Sequence, residues 1–148
     1  MTYMMKKSVF GGTFRYLLLA AAGAALVGCG TSRLSKINDD GHLAEQASPV
    51  WPSIENNRWQ PEGSVPNLAN LAQVKPGLSK EQVYGLIGRP HFAEGMIDVR
   101  EWDYVLNLTA KGGEQTQVCQ YKLLFDKRMK LASVIWRQEV CAEIATGA

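Results

Sequence analysis

Apolar residues follow four different patterns along this chain, and each predicts a different kind of element. From Tyr16 to Val27 they run as the 12-residue block "YLLLAAAGAALV". From Gly30 to about Val65 they are sparse and aperiodic, interrupted by Pro49, Pro52 and Pro61, which predicts an irregular segment. Between Asn67 and Ile87 they recur at spacings of three and four, and after Pro90 the period falls to two.

The helical part divides in two. In "PNLANLAQV", Leu68, Leu71 and Ala72 form one stripe behind Asn67 as cap, and Pro76 ends the run. In "GLSKEQVYGLIGRP", Ser79 and Gln82 have capping-box spacing, and Leu78 and Val83 suit a hydrophobic staple. Val83, Leu86 and Ile87 supply the buried stripe. Gly88 is placed to end the helix in a left-handed conformation, and Pro90 forbids its resumption.

Three strands follow. "VREWDYVLNL" puts Trp102, Tyr104 and Leu106 on one face, with Glu101, Asp103 and Asn107 on the other. "VCQYKLLFD" puts Tyr121, Leu123 and Phe125 inward, with Gln120 and Lys122 outward. "LASVIWRQE" returns after a four-residue turn, pairing Phe125 with Ala132, Leu123 with Val134 and Tyr121 with Trp136. The sum is an α+β fold: two short helices packed on a three-stranded antiparallel meander sheet, a two-layer sandwich.

The apolar block at the front is too short to cross about 30 Å of hydrocarbon, which takes about 20 helical residues. Lys6, Lys7 and Arg15 precede it and no acidic residue comes before Asp39, so residues 1–28 read as a cleaved signal peptide. Leu26-Val27-Gly28-Cys29 resembles the bacterial lipobox. That resemblance implies acylation of Cys29, cleavage before it, and, with Gly30 rather than aspartate next, an outer-membrane address. Two or three acyl chains make a durable anchor where one is marginal. An ordinary signal with a cysteine near the cut is the alternative.

Removing the signal changes the charge. The chain has 16 basic and 14 acidic residues; three basic ones lie in residues 1–28, leaving 13 against 14, or about −1. No polybasic surface for nucleic acid results. The mature chain then divides into a lipidated, mostly irregular tether at 29–65, a domain at 66–141 and a tail at 142–148. As a free coil the tether would span roughly 33 Å. Trp51 and Trp59 fit either packing onto the domain or a docking motif.

Cys119 and Cys141 read as one disulfide in an oxidising compartment, contributing roughly 3 kcal/mol by loop closure, or else as two buried thiols. In the register above Cys119 faces Gln138, so pairing requires the chain to bend or bulge after Gln138. His42 and His91 have no partners at metal-ligand spacing, and His91 reads as a loop residue. No metal site, cofactor or catalytic motif is expected beyond the acyl lipid on Cys29. Glu101 and Asp103 read as the solvated face of a sheet.

Gly77, Ser79, Gln82-Val83, Gly88, Pro90, Trp102, Tyr104 and Phe125-Asp126 occur in the order and spacing of the SmpA/OmlA (BamE-like) outer-membrane lipoprotein family, which residues 73–138 resemble. The resemblance implies a non-catalytic accessory or scaffold subunit on the periplasmic face of the outer membrane. Its partners would be subunits of the β-barrel assembly machinery and anionic phospholipid. The long tether, the charge at Asp103 and the cysteine pair depart from the family pattern. A periplasm-facing lipoprotein that binds a different envelope protein, inhibitor-like or stress-related, is the other reading. "HFAEGMIDVR" holds the candidate contact residues Phe92, Met96, Ile97 and Arg100; capping of the sandwich explains them equally well.

Overall fold

A computed structural model of the chain describes residues 34–55, 60–92, 95 and 97–147. The signal and acylation readings at 1–29, and those on Trp59 and Met96, lie outside the described residues.

Two capped turns start the helical layer. α1 (Leu68–Leu71) is a single turn, and the Asn67 side chain accepts from the Ala69 and Asn70 amides at 2.9 and 3.2 Å. α2 (Lys80–Ile87) carries the capping box: Ser79 Oγ accepts from the Gln82 amide, and Gln82 Oε1 accepts from the Ser79 amide at 2.8 Å. Ser79→Ala removes one half of it, and we expect a loss of about 1 kcal/mol in chemical denaturation. Gly88 has the expected positive φ of 77°, but its ψ of −163° is extended rather than left-handed helical. That conformation turns the chain so that Gly88 O receives the Tyr104 hydroxyl.

β1 (Glu101–Thr109), β2 (Thr116–Phe125) and β3 (Leu131–Trp136) form an antiparallel sheet in the order β1-β2-β3. Tyr121 pairs with Trp136 and Leu123 with Val134, as the pattern predicts, but Phe125 pairs with Leu131. A bulge at Leu124/Phe125 accounts for the shift. The Asp126 carboxylate draws in the Arg128 and Lys130 amides at 2.8 Å each, and Met129 has a φ of 58°. The turn is therefore tighter than even pairing allows, and one residue of β3 is left over.

A third helix, α3 (Glu139–Thr146), takes up most of the expected tail. The ladder closes with the Arg137 amide on Gln120 O. Gln138, extended at φ −108°, is the N-cap. From there the period is helical, which removes the parity difficulty: Cys141 swings over the core face and is bonded to Cys119, with the Cα atoms 5.8 Å apart. The shared core lies between the sheet and the helices, with Val83, Tyr104, Leu106, Leu123, Phe125 and Cys141 at its centre.

The other sheet face is the largest departure from expectation, because it is not wet. Residues 34–55 and 60–65 remain irregular, as expected, but they lie against it as a strap rather than as a free coil. Gly41 sits so close that a Cβ there would meet Ala132 Cβ at 2.6 Å, and at Gly63 one would meet Val105 O at 2.6 Å. The architecture is thus helices, sheet and strap.

Candidate interaction surface

Beneath the strap lies a buried ion triad. Lys122 Nζ bonds Glu101 Oε1 and, at 2.6 Å, Asp103 Oδ2, and the residues are 0, 3 and 3 % exposed. The alternation that places Lys122, Glu101 and Asp103 on one face is the sequence-predicted one; the solvation is not. Ser35 donates to Glu101 through its amide at 2.8 Å and its hydroxyl at 3.0 Å, so the strap itself satisfies the carboxylate. The Trp51 ring covers Lys122 Nζ, 5.2 Å from the ring centroid, where a desolvated cation–π contact is favourable. Pro52 O accepts from Gln120 Nε2 at 2.8 Å. Trp51 therefore packs on the domain. The triad is a latch: its charges point at one another and at Ser35, and they are closed to a substrate.

The outer edge of β1 is sealed by two devices. Ser64 bridges Val105 and Asn107 through backbone bonds of 3.0 and 2.8 Å. His91, 3 % exposed, gives its amide to Asp103 O at 2.9 Å and accepts the Val105 amide on Nδ1 at 2.8 Å. The ring acts in place of a backbone carbonyl and is held as the Nε2–H tautomer. His91 lies in the loop between α2 and β1, as expected, but its side chain is buried and finishes a sheet edge. His91→Leu would keep the packing against Tyr104 but leave the Val105 amide buried without that acceptor. We expect a stability loss of about 1–3 kcal/mol, read as a lower urea midpoint at unchanged slope.

The candidate contact residues separate by role. Phe92 is 6 % exposed and belongs to the interior. Arg100 is half-buried; its guanidinium holds Asn38 O at 3.0 Å and its carbonyl accepts the Phe125 amide at 2.8 Å, so it ties strap to sheet. Ile97 is 86 % exposed. Between Phe92 and Arg100, Gly95 and Asp98 take positive φ values of 114° and 50°, and Lys80 Nζ bonds Val99 O while lying over Trp102 and Phe125. The loop is pinned at its exit and offers Ile97 outward. Tyr84, 56 % exposed, stands one helical turn beyond Lys80 on α2 and was missed by the sequence reading. Its position outside the Val83-Leu86-Ile87 stripe was the available signal.

Among the described residues no group of histidine, cysteine, aspartate and glutamate has the arrangement of a metal site. An open groove of about 530 Å³ between α1 and α3 is lined by Leu68, Ala69, Ala110, Lys111, Ile144 and Ala145. With Thr146 and Gly147 completing the lining, it brings together mainly aliphatic side chains, one lysine and one hydroxyl, a composition suited to contact. Residues 63–134, from the strap's last contact with β1 through most of β3, match the family model described as the outer membrane protein assembly factor BamE domain.

Proposed function

Because this chain belongs to the BamE family through residues 63–134, we propose that it acts by binding, as a non-catalytic accessory subunit in outer-membrane protein assembly. In this reading the mature protein is held by acyl chains on Cys29 at the periplasmic face of the outer membrane. Its partners are subunits of the β-barrel assembly machinery, with anionic phospholipid as a second contact. The observation that carries the reading is the coincidence of the family match with the folded unit: the matched span holds α1, α2 and the sheet core. The lipobox-like Leu26-Val27-Gly28-Cys29 supports the anchor.

Among the described residues, Ile97 in the pinned loop and Tyr84 on α2 expose large apolar side chains, and they are where contact is expected. Photocrosslinking residues placed at 97 and 84 in intact cells should capture β-barrel assembly subunits, identified by mass spectrometry. Adducts confined to unrelated envelope proteins would support the adaptor reading instead. Metabolic labelling with a palmitate analogue should mark the natural protein and not Cys29→Ala.

A further inference from the structure

The two edges of the sheet are finished differently. On β1, Asp103, Val105 and Asn107 present outward backbone groups that His91 and Ser64 meet. On β3, the chain at 77–79 covers only the start: the Gly77 amide bonds Leu131 O at 2.7 Å, the Leu131 amide bonds Leu78 O at 2.8 Å, and Ser79 bridges Lys130. Among the described residues no backbone bond joins the chain before Gly77 to β3, so the cover ends there.

The register identifies what is left. The Arg137 amide bonds Gln120 O, and Lys122 and Leu124 face Ile135 and Ser133. Antiparallel alternation then points the backbone of residues 133, 135 and 137 into β2 and that of Val134 and Trp136 outward. Among the described residues no hydrogen bond reaches the outward groups of Val134 or Trp136. On one flank of this edge stand the half-buried Val134 and Trp136 side chains, the latter stacked on Tyr121 at 4.2 Å; on the other stand Ser133 and His42, bonded at 2.7 Å.

We propose that the β3 edge from Ala132 to Trp136 takes an added strand, and that its occupant is an extended segment of a client barrel protein with alternating apolar and polar residues. This rests on the assembly reading above and names its substrate class. The backbone groups of the edge fix the extended conformation, and the pairing continues the line begun at Gly77–Ser79. The apolar flank at Val134 and Trp136 selects alternate side chains, the same alternation that barrel strands carry.

The test uses the mature full-length chain in detergent micelles and a synthetic nine-residue peptide alternating valine or phenylalanine with threonine. Peptide should slow hydrogen exchange at the Val134 and Trp136 amides by tenfold or more and leave the β1 edge unchanged. The same peptide methylated on the nitrogens of one edge should give no protection. Val134→Pro removes an amide that makes no ladder bond, so it is tolerated at an edge, whereas Ile135→Pro breaks the β2–β3 ladder and serves as the unfolding control. A folded Val134→Pro protein that binds the peptide as tightly as the parent overturns the proposal, as does protection confined to another surface. Concentration-dependent protection of Trp136 without peptide would assign the edge to a second copy and likewise overturn it. Crosslinks from Ile97 and Tyr84 that persist while peptide binding fails would separate this failure from failure of the assembly reading.

Discussion

Lys122→Met is expected to cost about 3–5 kcal/mol, because it leaves two carboxylates buried without their shared cation. In a domain of this size that corresponds to a fall in Tm of about 10–25 °C. The triad is not expected to add this much net stability; the figure is the penalty for removing one member. Glu101→Met, Asp103→Leu and Lys122→Met together eliminate every charge at the site and should recover most of the loss. The triple variant has a second, separable effect. Ser35 loses the carboxylate that accepts its amide and hydroxyl, so the strap should detach more easily while the sheet stays intact. Hydrogen exchange would show this as lost protection at Ser35 and Val50, whose amide bonds Ser35 Oγ at 2.9 Å. Urea unfolding in which Lys122→Met shifts stability by less than about 1 kcal/mol would mean that water reaches the triad and that the latch description is wrong.

Cys119→Ala combined with Cys141→Ala should cost about 3 kcal/mol, from the entropy the unfolded chain regains when a loop of 22 residues' separation is opened. Both cysteines are fully buried, so the sulfur atoms also leave space in the core, which adds to the loss. The effect should be local first. α3 begins at a Gln138 with no side-chain cap bond, and without the crosslink it is held by Ile144 and Ala145 against the core. Proteolysis or exchange should therefore open residues 139–146 before the sheet. The same order is expected when the wild-type protein is reduced, and equal opening of all elements would show that α3 is not a separable unit.

The helical layer and the sheet order were legible because each signal was local. Asn67 and Ser79 cap where their side-chain chemistry says they should, and the two-residue period of β1 and β2 set the core face. What was not legible depended on contacts between distant parts of the chain. Lys122 was read as outward, and its direction was right. Its burial depends on Ser35 and Trp51, far away in an irregular segment that has no periodicity to read. A partial signal did exist: Val105 and Leu124 interrupt the alternation with apolar residues on the supposedly wet face, and runs such as Tyr104-Val105-Leu106 and Leu123-Leu124-Phe125 mark strands covered on both sides. α3 was likewise announced by Cys141, Ile144 and Ala145 at helical spacing with Gly147 behind them. Among the candidate contact residues, hydrophobicity alone could not separate the interior Phe92 from the exposed Ile97. Only the anchoring of the loop by Lys80, His91 and Arg100 distinguishes them.

The strap and α3 are fastened to the same central strand from opposite sides, one through Lys122 and the other through Cys119. A pull on the amino-terminal end is therefore delivered through Ser35 to Glu101 at the start of β1 and, across the ion triad, to Lys122 on the central strand, so both strands are loaded together. For a protein drawn on by one end, that routing makes the folded head a mechanical clamp, with yielding expected first in the strap and last in β2.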